Sequence, residues 1–137
     1  MFLFRLSRAL LMLAAILFAA LGTFALWRPH EVLKPLGFEL TTADARTEVR
    51  ATYGGLQLAL ALVFATAGRS RKLWLGGIAL LSAVTSGFLI GRGVGYLVEG
   101  PPGRITVFLA ACELTMWLPA TFILFVQMHL VGEEPPK

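Results

Sequence analysis

The chain has 137 residues, 57% hydrophobic and 15% charged, with a mean hydropathy of +0.76. That composition is far from a soluble domain's, and the length suits one domain. The net charge of +4 comes from basic residues that flank apolar runs and form no aromatic-interleaved patch, which argues against nucleic acid as a partner. The single cysteine, Cys112, excludes an internal disulfide framework and a multi-cysteine metal site.

Four apolar runs, at about 9–27, 51–67, 73–95 and 105–128, are each near the length a helix needs to cross about 30 Å of hydrocarbon. They are too long and too unbroken for barrel strands. The expected fold is all-α, a four-transmembrane-helix bundle forming one integral membrane domain over 1–137. Arg5 and Arg8 precede the first run, and Thr23-Phe24-Ala25 resembles a weak cleavage site, so a signal peptide is an alternative. The run is long for a signal core, and a retained first helix is expected.

Loop one, 28–47, contains Pro29, Pro35 and Gly37, and Thr42 or Asp44 is placed to cap the helix that follows. Span two ends at a short link crowded with Arg69, Arg71 and Lys72. Positive charge at this density in a short link faces the cytoplasm, which puts both termini inside and loops one and three outside. In span three, Ala79, Ala83, Gly87, Gly91 and Gly95 recur every four positions, and span two repeats the device with Ala51, Gly55 and Ala59. Such ridges let helices approach closely in lipid. Packing within one bundle is the expected use, and an oligomer interface the alternative. Glu99-Gly-Pro-Pro-Gly103 is a turn sequence, and the tail 132–137 is expected to be disordered.

The polar residues inside the spans are few and share a depth. Span two runs inward, so Gln57 lies about 9 Å below Ala51 at 1.5 Å per residue, and Glu113 lies about 12 Å into span four. Arg50, Tyr53, Gly54, Gln57 and Ala61 follow helical spacing on one face of span two, as do Ser82, Thr85, Leu89, Arg92 and Tyr96 on span three. On span four, Glu113 aligns with Met116, Trp117 and Ala120, and Pro119 is expected to kink the helix.

The resulting hypothesis is an outward-opening pocket of Arg50, Tyr53, Gln57, Arg92 and Glu113. It would hold a small molecule or lipid headgroup of anionic character between the two arginines. Each residue has a plainer use. The arginines can snorkel to headgroups, the aromatic residues can form an interfacial belt, and Glu113 can pair with Arg50 or Arg92 as a structural ion pair. His30 and His129 fall on opposite sides, no zinc spacing is present, and no nucleophile elbow is visible. No cofactor or metal and no enzymatic activity are expected. An enzyme using Glu113 as acid or base, with Tyr53 nearby, ranks last.

The segment Glu48-Val-Arg-Ala-Thr-Tyr-Gly-Gly-Leu-Gln-Leu-Ala-Leu60 resembles the signature of a bacterial family of small four-helix membrane proteins. That family is catalogued as a domain of unknown function, number 4345. Arg92 near the end of span three, the Glu99-Gly-Pro-Pro turn and Glu113-Leu114 early in span four agree with it, over about Pro35 to Phe125. The resemblance implies an integral protein of the bacterial inner membrane and supplies no activity. The partners to expect are the lipid bilayer and either a larger membrane complex, served as an accessory or assembly subunit, or further copies of the chain.

Overall fold

The computed structural model describes residues 2–131 and is all-α in its long elements, so the expected tail at 132–137 lies outside the described residues. Helix α1 runs Phe2–Trp27 and short α2 Pro29–Leu33. A 3₁₀ turn follows at Lys34–Leu36, then α3 Ala43–Val49, a π-helical segment Arg50–Gly55, and α4 Leu56–Arg69. Two long helices complete the chain, α5 Trp74–Glu99 and α6 Arg104–Val131. Four helical stretches are long and apolar enough to cross a membrane: Leu3–Trp27, Ala43–Arg69, Trp74–Glu99 and Arg104–His129. Each extends past the apolar run that announces it, because polar residues at a helix end keep helical winding where water or headgroups can solvate them.

The chain forms two compact units. One comprises Met1–Leu11 and Ala67–Lys137, the other Met12–Thr66.

In the second unit, Thr42 caps α3, its side chain accepting the Ala45 amide at 3.1 Å, which satisfies one of the unpaired donors of a helix start. Gly37 closes the 3₁₀ turn with φ +82, a left-handed conformation that favours glycine. Leu33, Leu40 and Val49 then form a small core, with Val32 and Ala45 packed on it. This cluster folds loop one back onto α3. Deeper in the unit, Phe18 meets Phe64 edge to face, with centroids 5.3 Å apart, a favoured aromatic geometry.

Immediately after α3 the backbone widens to π winding, and the Leu56 amide bonds back five residues to the Ala51 carbonyl. The buried positions record the change. Val49 and Gly54 are five apart, whereas Gly54, Gln57, Ala61 and Phe64 follow at the ordinary steps of three and four. The common face expected for Arg50, Tyr53, Gly54, Gln57 and Ala61 is therefore split. Gly54, Gln57 and Ala61 are buried, and Arg50 and Tyr53 are exposed.

Close backbone approach occurs at glycines other than those expected. A Cβ on Gly22 would stand 2.9 Å from the Gly54 carbonyl oxygen, and one on Gly54 would stand 2.6 Å from Leu26 Cδ2. In the other unit, a Cβ on Gly77 would collide with Ala67 and crowd Leu11. Gly55, expected to pack, would carry its Cβ no closer than 3.9 Å to a backbone oxygen, and Gly87, Gly91 and Gly95 would meet nothing within 4 Å. Ala79 and Ala83 are exposed as well. The regular ridge of α5 is not its buried face, since burial goes to Gly77, Ile78, Leu81, Ser82 and Thr85 instead.

The first unit is closed at one end by Phe4, which meets Trp74 edge to face at 6.0 Å and takes the Arg71 guanidinium over its ring at 5.3 Å. At its other end α5 stops at Glu99, and Gly100 turns the chain with φ +90. The two prolines after it cannot continue a helix, and α6 starts at Arg104, two residues past the second proline. Helix α6 runs unbroken through Pro119.

Candidate functional site: a polar ladder and an open groove on the α5–α6 hairpin

Antiparallel helices joined by a four-residue turn bring residues at equal distances from that turn to one level. Arg92 lies seven residues before the end of α5, and Glu113 nine residues after the start of α6. Their side chains meet in a two-pronged pair. Arg92 Nε donates to Glu113 Oε2 at 2.8 Å, and Nη2 donates to Oε1 at 2.6 Å. The fork of a guanidinium matches a carboxylate in this way, and charge-assisted bonds of this kind are about twice as strong as neutral ones. The side chains are 27% and 14% exposed, so the pair is neither fully wet nor fully enclosed.

Two further rungs lie farther from the turn. Trp117 Nε1 donates to Ser86 Oγ at 2.7 Å, and Ser82 Oγ and Thr121 Oγ1 share a hydrogen at 2.8 Å. Glu113, Trp117 and Thr121 are spaced by four, which places them on one face of α6. Thr85, buried between the rungs on α5, returns its hydroxyl to the Leu81 carbonyl at 2.7 Å, so it adds no cross-link. The ladder spans ten residues of α5, or about 15 Å. In hydrocarbon the hydrophobic effect does not hold helices together, and interhelical hydrogen bonds take a larger share.

Pairing changes the chemistry expected of these residues. Arg92 is not a lone cation awaiting an anion, because Glu113 already balances its charge. Both Glu113 oxygens are engaged, which disfavours it as a mobile acid or base. The remaining expected cation, Arg50, donates from Nε to the Leu26 carbonyl at 3.0 Å. That carbonyl belongs to the last turn of α1, where unpaired oxygens and the negative end of the helix dipole attract a cation. Arg50 therefore works as a helix cap within the second unit. Gln57 is buried there, and Tyr53 is exposed.

Ser86 and the Leu26 carbonyl were not foreseeable from spacing. Trp117 aligns with Glu113 by spacing, but its bond to Ser86 is not legible in the sequence.

Beside the ion pair the hairpin opens into a groove of about 520 Å³, lined by Gly87, Gly91 and Gly95 on the ridge, by Phe88, Arg92 and Tyr96, by Glu99 and the turn, and by Thr106. Its apolar floor of glycines gives way to polar groups at the turn. Neither Glu99 nor the Tyr96 hydroxyl has a protein partner among the described residues. No group of three or more His, Cys, Asp or Glu able to hold a metal ion occurs among them.

Four apolar helices and a polar ladder inside two of them define a small multi-pass membrane protein. The chain belongs to the family described as Domain of unknown function (DUF4345), whose model matches residues 6–124. The match takes in most of α1 as well as the stretch that carries the sequence resemblance. No curated protein and no solved structure matches the chain.

Proposed function

We propose that this is a bacterial inner-membrane protein, with both termini cytoplasmic, whose α5–α6 hairpin holds a lipid headgroup or a small molecule of similar polarity in the outer half of the bilayer. The observation that carries this reading is the partly exposed Arg92–Glu113 pair at the edge of an open, amphipathic groove. Ionisable groups within spans usually face a partner or water, and here the pair has both a partner and an opening.

A second reading, an accessory or assembly subunit of a larger complex, is favoured by a different observation. Among the described residues, nothing lies within 4 Å of a Cβ placed on Gly87 or Gly91 of the α5 ridge that also holds Ala79 and Ala83, and only 17% of the apolar window of α6 is buried. A second protein's helix, or another copy of the chain, fits such a surface.

Gently solubilised membranes carrying the wild type and the double variant Arg92→Met/Glu113→Leu separate the two readings, by native gel and mass spectrometry of each band. The double variant keeps the volume and removes both charges, so it should fold. Headgroup binding predicts a small band with a retained lipid or metabolite that the double variant loses. A much larger band with defined protein partners, unchanged in the double variant, supports the accessory subunit and rejects the binding site.

A further inference from the structure

We propose that the basic end of the first unit docks an anionic phospholipid, its phosphate held by Arg5 and Arg8 of α1 together with Arg71. This site lies at the opposite end of α5 from the groove and does not depend on the headgroup reading above.

Three helix ends converge here. Gly77 lets Leu11 of α1 and Ala67 of α4 close on the start of α5, and Phe4 meets Trp74 edge to face. The link from α4 to α5 is tied down by its own hydrogen bonds. The Ser70 amide donates to the Ala67 carbonyl at 3.2 Å, and the Ser70 hydroxyl accepts the Lys72 amide at 3.3 Å. That turn sets the Arg71 guanidinium over the Phe4 ring at 5.3 Å. Arg8 follows Phe4 by four positions and Arg5 precedes Arg8 by three, so all three lie toward one side of α1. Ser7, Leu10 and Leu11 take the buried side, and Arg5, Arg8 and Arg71 are exposed.

The cluster has no counter-charge nearby among the described residues of its unit. The carboxylates there are Glu99, about 37 Å along α5 from Trp74 at 1.5 Å per residue, and Glu113, which Arg92 already holds. An aromatic face attracts a guanidinium without cancelling its charge. Arg69 and Lys72 on the same link add to the positive field. Orientation in the membrane asks only for cations near a span end. It does not ask those of α1 and those of the link to gather about one ring. A phosphate matches the fork of a guanidinium, and basic clusters beside a span attract anionic lipid. Phe4 and Trp74 are side chains suited to the interface, the depth at which lipid phosphates lie. Leu73, exposed beside them, offers apolar surface to an acyl chain, which a soluble phosphate would not use.

The test is native mass spectrometry of the full chain in detergent, offered equal amounts of phosphatidylglycerol and phosphatidylcholine with identical acyl chains. The wild type should retain phosphatidylglycerol about tenfold or more over phosphatidylcholine. Arg5→Gln and Arg8→Gln should each cut that preference about fivefold, the share of one cation near a membrane surface. Arg5→Lys/Arg8→Lys keeps the charge and should restore most of the preference. Arg28→Gln/Lys34→Gln removes as much charge from loop one and should leave the preference unchanged. No preference in the wild type, or one that survives the loss of both Arg5 and Arg8, overturns the proposal. So does a loss that lysine fails to restore, or an equal loss in the loop-one variant. Displacement of the lipid by an equal concentration of glycerol 3-phosphate would assign the site to a soluble phosphate and overturn the lipid.

Discussion

The two units hold their helices by opposite means. The α5–α6 hairpin is joined by side chains, with an ion pair and two hydroxyl-centred hydrogen bonds. The unit of residues 12–66 is joined through backbone, at the Gly22–Gly54 approach and by the Arg50 cap on the Leu26 carbonyl. The first device leaves Gly87, Gly91 and Gly95 of α5 open, whereas the second consumes Gly22 and Gly54 in packing. A glycine in this protein is therefore informative only with its surroundings. Gly22 and Gly54 serve stability, and Gly87, Gly91 and Gly95 are available to something outside the chain.

The sharpest way to break this contrast is to unpair the ladder. Glu113→Leu leaves the Arg92 guanidinium without its carboxylate and should cost about 3–5 kcal/mol, read as a fall in unfolding temperature in detergent. Arg92→Met added to it should recover most of the loss. A single variant as stable as the wild type would mean that solvent, not Glu113, supports the arginine.

A smaller effect compares the glycines. Gly22→Val or Gly54→Val should destabilise by about 1–3 kcal/mol through overpacking. Gly87→Ala and Gly95→Ala should be neutral, or stabilising by up to about 1 kcal/mol, as expected for an open helical glycine. Equal losses in both pairs, measured by the same thermal scan, would erase the distinction between packed and open glycines. The smallest change is Ser86→Ala, which leaves Trp117 without its acceptor and should cost about 0.6 kcal/mol, typical of one interhelical bond in a membrane. Near-ultraviolet circular dichroism of the tryptophan should change with it.

What the sequence discloses follows from how local each signal is. The spans are legible because each needs only a run of apolar residues. Thr42 as a cap and Glu99–Gly103 as a turn are legible because their chemistry lies within a few positions. The Arg92–Glu113 pair is half legible: matching depth makes it one of several pairings, and only the structure selects it. The π segment is not legible, since no residue pattern marks an extra residue in a helical turn, and its effect is to exchange Gly55 for Gly54 at the contact. The α5 ridge misleads for a related reason. A repeat of four defines a face but not what that face meets.

The π segment also sets how this region can change. It carries one residue more per turn than α winding, the form a single-residue insertion takes when a helix absorbs it. Deleting any one residue from 50 to 53 would let ordinary winding resume, but would swing everything before it by about 100° relative to α4. The contacts that cross this point would be displaced, the Gly22–Gly54 approach and the Phe18–Phe64 pair among them. In this stretch the number of residues matters more than their identity, so shortening it by one position should do more harm than replacing several of its side chains.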